Sequence, residues 1–292
     1  MPNDLRYWIG LSAFPGIGPV RFELLRNYFG TVEAIWNAPE KKLFDVNLPK
    51  NLVADFCSFR KTFDSTSYSE RLKKEHIGVV TIDDSRYPKL LKEISDPPFL
   101  LYVKGKKTDQ PIDMEKTIAI VGTREATSYG ITITKQFVRE LVSAGFTIIS
   151  GMAYGIDAVV HEETIRCNGK TIAVLGCGVD ICAPQSNIHI YRKLGLEGYG
   201  AVVSEMPLGL RPKKGLFVAR NRIISGLARG VVVIEGEKDS GTLITARNAG
   251  EQGRDVFAVP GPVTSATSHG TASLLKNGAI LVESVHDILE HI

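Results

Sequence analysis

Residues 117–130 read TIAIVGTREATSYG, a short apolar run that leads through Gly122 into a helical pattern over 129–144. A strand that is apolar on both faces is typical of a parallel sheet covered by helices on each side. A glycine directly after such a strand permits the tight turn into the following helix. The segment therefore predicts one strand–turn–helix unit of a doubly wound α/β sheet.

The same alternation continues on both sides of this segment. Helical candidates lie at 156–168, 219–229 and 242–252. The further apolar runs are VVTID (79–83), FLLYV (99–103), FTIIS (146–150), TIAVLG (171–176), AVVSE (201–205), GVVVIEG (230–236), DVFAVP (255–260) and AILVES (279–284). We therefore expect a doubly wound, mostly parallel sheet over 77–292. The polar segment 104–116 is predicted to be an exposed linker.

Residues 1–76 have a different pattern. Apolar side chains recur at helical spacing from Leu5 to Trp36, and a further helix is predicted over 51–63. Gly30 is expected to end one helix, and Thr31 can cap the next. The sequence thus predicts a small all-helical domain at 1–76, followed by the α/β domain at 77–292.

Composition limits the function less than it limits the fold. The 292 residues are 43% hydrophobic and carry a net charge of +3, which is compatible with a polyanionic partner without identifying one. The spacing of the 4 cysteines fits neither a disulfide framework nor a zinc site, so we expect small, buried, reduced side chains. No basic leader is present, and the apolar runs are shorter than the ~18 residues that span a bilayer. We expect a soluble, cytoplasmic protein without membrane contact.

A glycine hairpin, PGIGPVR at 15–21, lies between two amphipathic segments. This pattern is typical of a helix-hairpin-helix, in which backbone N–H groups and a helix N-terminus can face a phosphate. A tight interhelical turn would need the same glycines. Both interpretations remain open from the sequence.

Two strand-to-helix turns carry candidate phosphate contacts. Gly122, Thr123 and Arg124 follow one strand, where an arginine fork can hold a phosphate. Gly151 follows the next strand, in SGMAYGIDAVVHEET at 150–164. Neither turn has G-x-G-x-x-G spacing, which disfavours a dinucleotide site.

The second turn leads into a segment that superficially resembles a zinc motif. His161 and Glu162 begin an H-E pair, but Ile165 stands where H-E-x-x-H needs its second histidine. We therefore expect no metal site, and we expect both residues to be solvated on the helix.

A basic stretch, RPKKGLFVARNRIISGLAR, runs from Arg211 to Arg229 without an acidic residue. Its candidate contacts are Lys213, Lys214, Arg220 and Arg222, with Phe217 among them as a platform for base stacking. A solvated helix face is the plain alternative. So long an acid-free run in a chain with 32 acidic residues favours a polyanion site.

The last glycine-rich segment lies at 235–254. Gly236 and Gly241 have P-loop spacing, but Thr242 replaces the lysine that would engage nucleotide phosphates, so NTP hydrolysis is not expected. Ser240, Gly241 and Thr242 at a helix start, with Thr245 one turn later, remain a candidate phosphate site. Helix capping is compatible with this role.

These segments together resemble the DprA/Smf family over residues 78–290. The matching motifs are RYPKLLKEISDPPFLLYVKG (86–105), VGTREATSYG (121–130), SGMAYGIDAVVHE (150–162), IAVLGCGVDICAP (172–184), ARNRIISGLARGVVVIEG (219–236), SGTLITARNAGEQGRDVFAVPG (240–261) and NGA (277–279). The resemblance implies an extended Rossmann-like domain after a small, all-helical N-terminal domain of the SAM-like or helix-hairpin-helix type. It also implies a cytoplasmic homodimer that binds single-stranded DNA during natural transformation. It would protect that strand and load the RecA recombinase onto it, also where SSB is present.

The sequence departs from the family pattern at several points. Thr123 stands where serine is usual, and Tyr154 stands where arginine is frequent. Residues 214–218 read KGLFV in place of the usual P-G-N-F-P. Many members continue into a C-terminal winged-helix domain, and because this sequence stops at Ile292 we expect that domain to be absent or to have been removed.

Two other classes of function compete with DNA binding. Related phosphoribohydrolases carry P-G-G-x-G-T-x-x-E, and their catalytic glutamate would align with Thr245, whose hydroxyl cannot replace a carboxylate. A nucleotide-binding module without a DNA role is the second alternative. We find no catalytic constellation, and we expect neither enzyme activity nor a cofactor.

The sequence and the resemblance together predict one DNA-binding site. Its predicted residues are Gly122, Thr123, Arg124, Gly151, Lys213, Lys214, Phe217, Arg220, Asn221, Arg222, Ser225, Ser240, Gly241, Thr242 and Thr245.

Overall fold

The computed structural model describes residues 4–106 and 115–292, and in these ranges the chain forms a 9-stranded sheet. The strands are β1 (Ile77–Thr81), β2 (Leu100–Gly105), β3 (Thr117–Val121), β4 (Thr147–Ser150), β5 (Thr171–Val174), β6 (Gly200–Ser204), β7 (Gly230–Val233), β8 (Asp255–Ala258) and β9 (Ile280–Leu281). Each strand overlaps one of the apolar runs in the sequence, which confirms those predictions.

Helices precede the sheet and connect its strands. The helices of the N-terminal module are α1 (Leu5–Ala13), α2 (Pro19–Phe29), α3 (Val32–Asn37), α4 (Glu40–Phe44), α5 (Lys50–Thr62) and α6 (Ser65–Lys74). The later helices are α7 (Lys89–Lys92), α8 (Ser128–Ser143), α9 (Ile156–Arg166), α10 (Ile188–Arg192), α11 (Lys214–Gly226), α12 (Gly241–Glu251), α13 (His269–Lys276) and α14 (Val285–Leu289).

The sheet has the order β1-β2-β6-β5-β4-β3-β7-β8-β9. From β6 to β9 all neighbours pair in parallel, whereas β1 and β2 pair antiparallel at one edge. The order reverses at β3, where Ala119 lies beside Ile149 of β4 on one side and Val231 of β7 on the other. This is the doubly wound, mostly parallel sheet that the sequence predicts, with its topological switch between β3 and β7.

Helices cover both faces of the sheet because its central strands are apolar on both sides. On one face Phe137 of α8 and Val160 of α9 are buried with Ile118 and Ile120. On the other face α11 and α12 pack over the alternate positions of the same strand, Ala119 and Val121. Successive side chains of β3 therefore lie alternately in two separate hydrophobic cores, one on each face of the sheet.

The N-terminal module has the expected helical character. Gly30 ends α2 with a φ of 81°, and the Thr31 side chain caps α3 by accepting the amide of Ala34 at 3.1 Å, as predicted. The module also joins the sheet, because Phe22 stacks on Phe99 with ring centroids 4.1 Å apart. The division into domains at residue 76 stays a prediction, since one buried cluster includes side chains from both parts.

Two local expectations need correction. α11 begins at Lys214, five positions before the predicted 219. Val218 stands where the usual P-G-N-F-P segment has a proline. A proline there would lack the backbone N–H that a helix interior requires, whereas valine supplies it and lets the helix begin earlier, at Lys214. The predicted linker 104–116 overlaps the end of β2, and its centre, 107–114, lies outside the described residues.

The cysteine prediction agrees with the structure only in part. All four are free thiols, and Cys57 and Cys177 are buried. Cys167 and Cys182 are partly exposed.

Candidate nucleic-acid interface

The turns after β3 and β7 meet at the carboxyl edge of the sheet. The Thr123 amide donates to the Glu235 carbonyl at 2.8 Å, and the Thr242 hydroxyl donates to the Gly122 carbonyl at 3.0 Å. A Cβ on Gly122 would come within 2.5 Å of Ile156, so only glycine fits this close approach. The crevice at the topological switch is thus built from segments far apart in the sequence.

An exposed cation and an aromatic ring face each other across this crevice. Arg124 is exposed in the turn after β3, and its guanidinium carbon lies 5.7 Å from the ring centroid of Phe217. Phe217 is half-buried in the first turns of α11. Such a pair presents both a donor fork for phosphate and a ring face for a base.

The start of α11 adds positive charge to the same edge. Lys213 and Lys214 are exposed at its N-terminus. The first turn of the helix lies beside the end of β5, since a Cβ on Gly176 would come within 2.9 Å of the Leu216 carbonyl oxygen. The structure therefore brings the two lysines, Phe217 and Arg124 to one edge; their role as DNA contacts stays a prediction.

Arg220 is placed differently from those residues, beneath the crevice rather than at its surface. It is 4% exposed, and its guanidinium donates to the carbonyl oxygens of Gly151 and Val174. Burial lowers the pKa of Arg220 to about 10, with nearby Asp157 opposing and Arg124 adding to that effect. A Cβ on Gly151 would overlap the guanidinium, which explains the need for glycine.

Asp157 is the counter-charge of this buried arginine. It is 6% exposed on α9 and accepts the amide of Ala153 at 3.2 Å. Burial raises the pKa of Asp157, while the charge of Arg220 acts against that rise. The pair anchors the turn after β4 to α11.

Arg222 points to another side of α11. Its guanidinium forms ion pairs with Asp96 at 2.7 Å and Glu205 at 2.8 Å, beside a pocket between α11 and α12 that Asn248 also lines. Residues two apart on a helix lie on nearly opposite faces. The structure thus does not bring Arg222 together with Arg124.

Asn221 and Ser225 have internal partners. Asn221 is 8% exposed, and its amide donates to the Gly241 carbonyl at 3.2 Å, which ties α11 to the start of α12. Ser225 is buried, and its hydroxyl lies within hydrogen-bonding distance of the Asn221 carbonyl at 3.3 Å. Both residues support the edge rather than line it.

The start of α12 keeps some features of an anion site. Gly241 has open space around it, and Thr242 lies beside the Gly122 turn. The buried Ser240 hydroxyl has no hydrogen-bond partner among residues 4–106 and 115–292. Thr245 is 2% exposed and faces the interior. A phosphate near this helix N-terminus would therefore meet Ser240, Gly241 and Thr242.

Sequence reasoning missed Glu235, whose carboxylate links the segments around the crevice by hydrogen bonds. Its carboxylate is buried and accepts the amide of Thr127 at 3.1 Å, the hydroxyl of Thr127 at 2.6 Å and the hydroxyl of Thr267 at 3.1 Å. Thr127 in turn caps α8 through the amide of Gly130. A single acid at the end of the apolar run GVVVIEG was the available signal.

The prediction that His161 is solvated was wrong. The side chain is fully buried because α9 packs against the sheet and α8, and its Nδ1 lies 2.7 Å from the Thr171 hydroxyl. Burial, together with the charge of Arg220, lowers the pKa of His161 to about 3. Glu162 is exposed as predicted, and it pairs with His189 at 2.9 Å.

Within the two described ranges, no three His, Cys, Asp or Glu side chains gather as metal ligands. In the same part of the chain, no helix combines the length and apolar character that crossing a membrane requires.

Comparisons with known proteins place this arrangement in a family. The model of the DNA recombination-mediator protein A family matches residues 78–292. Protein Smf from Synechocystis sp. is 38% identical over 289 residues, which is 98% of this chain and 72% of that protein. DNA processing protein DprA from Bacillus subtilis is 38% identical over 220 residues, or 75% of this chain and 73% of that protein.

Two solved structures agree with these matches. That of DNA processing protein A from Streptococcus pneumoniae superposes with a TM-score of 0.83 at 33% identity and covers 98% of both chains. That of DNA processing protein A from Helicobacter pylori, described for its unique single-stranded DNA binding mode, has a TM-score of 0.63 at 29% identity and covers 74% of this chain and 96% of that one. The chain belongs to the DNA recombination-mediator protein A family, the DprA/Smf proteins.

Proposed function

We propose that this protein binds single-stranded DNA along the carboxyl edge of its sheet. The observation that carries the proposal is the exposed Arg124 beside the ring of Phe217, at the switch between β3 and β7. Proteins that bind single strands combine backbone neutralisation with stacking of bases on aromatic rings. This edge offers both within one crevice.

The residues at the edge divide into contacts and supports. We assign phosphate contacts to Arg124, Lys213 and Lys214, and base stacking to Phe217. The backbone N–H groups near Gly241 supply a further anion contact, which Ser240 and Thr242 adjoin. The side chains that are buried or have internal partners take supporting roles; these are Arg220, Asn221, Arg222, Ser225 and Thr245.

Membership of the family extends the proposal to a cellular role. The protein would act in the cytoplasm during natural transformation, protect the incoming strand and load RecA onto it. It would do so as a homodimer. Apolar side chains exposed near the β9 end of the sheet, Leu281 and Leu289, offer area for a second copy to cover. Sedimentation at increasing protein concentration tests the dimer, and RecA filament assembly on SSB-coated strands tests the loading.

We propose no enzyme activity for the crevice. A ribosyl transition state has oxocarbenium character and needs a carboxylate close to it. Position 245 carries a buried threonine, and the carboxylate of Glu235 already accepts hydrogen bonds from the hydroxyls of Thr127 and Thr267. Release of ribose from AMP, lost on mutation of Arg124, would contradict this part of the proposal.

A free nucleotide is the second candidate ligand. The Ser240 hydroxyl at the start of α12 favours it, because this hydroxyl has no hydrogen-bond partner in the described part of the chain and one phosphate would supply it. A nucleotide site would bind short and long oligonucleotides equally well. A DNA groove would gain affinity with length, since a longer strand reaches both Lys213 and α12.

Fluorescence anisotropy with labelled poly-dT of increasing length, titrated at several salt concentrations, separates these candidates. We expect binding that strengthens with length, falls steeply with salt and favours single strands over a duplex control. Equal affinity for duplex, or tight nucleotide binding without any length dependence, would reject the DNA proposal.

A further inference from the structure

The segment that carries the site lysines is held by the N-terminal module. Residues 205–213, the β6–α11 loop, connect β6 to Lys214 at the start of α11. The Leu208 amide donates to the Tyr68 hydroxyl of α6 at 2.8 Å. The Gly209 amide donates to the two carboxylate oxygens of Asp180, at 3.1 and 2.9 Å. Adjacent amides of the loop thus have side-chain acceptors from other parts of the chain.

Asp180 is itself fixed by α6. Its side chain is 4% exposed, and Arg71 of α6 forms an ion pair with it. Arg71 also reaches Glu75 at 3.3 Å, so its guanidinium is oriented along the helix. On the other side of the loop, the Gly178 amide donates to the Leu210 carbonyl at 3.0 Å. The loop is therefore held between α6 and the segment after β5.

The Tyr68 hydroxyl is fixed in turn by the core. It donates to the hydroxyl of Tyr102 at 3.2 Å, and Tyr102 donates to Ser12 of α1 at 3.2 Å. Tyr102 is fully buried in β2. Burial also raises the pKa of Tyr68. A continuous chain of hydrogen bonds runs from α1 to the β6–α11 loop.

We propose that α6 is a positioning element of the DNA-binding edge, acting through Tyr68 and Arg71 on the β6–α11 loop. This inference rests on the proposed function, because the loop delivers Lys213 and Lys214 to the crevice. Without its acceptors the loop would sample more backbone conformations, and ordering it would oppose DNA binding. The N-terminal module therefore contributes to affinity through the position of this loop.

Tyr68→Phe is the first test, because it removes one acceptor and keeps the ring. Tyr7→Phe is the matched control, since its hydroxyl donates to Glu33 at 2.8 Å within the N-terminal module. We expect Tyr68→Phe to weaken poly-dT binding about 2- to 10-fold, the range of one hydrogen bond, and Tyr7→Phe to leave it unchanged. Hydrogen exchange of a peptide covering 205–213 should accelerate only in Tyr68→Phe.

The role of the loop is tested by changing the lysines as well. In a Lys213→Ala, Lys214→Ala background, Tyr68→Phe should weaken binding no further, and the salt dependence should already be shallower by about 0.7 per lost phosphate contact. A loss of equal size in both backgrounds would show a general destabilisation instead and overturn the inference.

Asp180→Asn gives a second, independent variant. It keeps one carbonyl acceptor for Gly209 but removes the charge that pairs with Arg71, so we expect a smaller loss than with Asp180→Ala. If the wild type binds poly-dT, Arg124→Ala weakens binding, and neither Tyr68→Phe nor Asp180→Ala changes affinity, the positioning role fails while the DNA proposal stands. No binding by the wild type would mean that the proposed function itself fails.

Discussion

Arg124→Ala should weaken single-stranded DNA binding by about 1–3 kcal/mol, or about 5- to 150-fold, the scale of a charge-assisted contact left unmade. The side chain is exposed, and its cation–π contact with the Phe217 ring, at 5.7 Å from the centroid, contributes about 0.5–1 kcal/mol at an exposed site. Truncation therefore costs the fold little, and the loss of affinity reports on DNA. One lost phosphate contact should also reduce the slope of log affinity against log salt by about 0.7.

The assay is anisotropy with one poly-dT length at several salt concentrations. Arg229→Ala is the matched control, because Arg229 belongs to the same basic stretch but lies at the opposite edge of the sheet, where its amide donates to Thr117 at 3.1 Å. Arg124→Lys should recover the slope but only part of the affinity, since lysine keeps the charge without the planar fork. Equal affinities for the Arg124→Ala and Arg229→Ala variants would refute the assignment of Arg124.

Three further predictions concern stability. Gly151→Ala should lower the free energy of unfolding by about 2 kcal/mol in urea titration, because the new Cβ overlaps the buried Arg220 guanidinium; an unchanged midpoint would contradict this. Glu235→Gln should lower the free energy of unfolding by about 1–2 kcal/mol, since an NH2 group replaces one carboxylate oxygen and cannot accept the Thr127 hydrogen bond, from the amide or the hydroxyl, that this oxygen received; a melting temperature equal to that of the wild type would argue against it. Burial lowers the pKa of His161 to about 3, so the unfolded chain binds the extra proton as pH falls below about 6.5. Wild type should therefore lose about 2 kcal/mol more than His161→Gln between pH 7 and 5, and parallel losses would exclude the effect.

The strands and the location of the crevice were predictable because their signals are local. Val- and Ile-rich runs bounded by glycine mark β3 and β7, and parallel strands align their carboxyl ends at one edge. The turn containing Arg124 could therefore be placed without knowledge of tertiary contacts.

The burial of individual side chains was not predictable from the same signals. Arg220 and Arg222 are equivalent in the sequence, and only the position of the sheet decides that one enters the core and the other pairs with Asp96 and Glu205. His161 is buried for a similar reason. The buried face of α9 is wider than its apolar stripe and includes polar side chains. The hydrogen bond between Tyr68 and the β6–α11 loop connects segments about 140 residues apart, and no spacing in the sequence indicates that they are close.

The bond from the Thr123 amide to the Glu235 carbonyl has a consequence for the newborn chain. Local pairing can form β3 with β4 early in synthesis, but the crevice needs β7, which is made much later. Loop closure over so long a separation comes late in folding. A partly synthesised or truncated chain that lacks β7 would carry Arg124 without the crevice. We therefore expect that a chain binds single-stranded DNA only after β7 has joined the sheet.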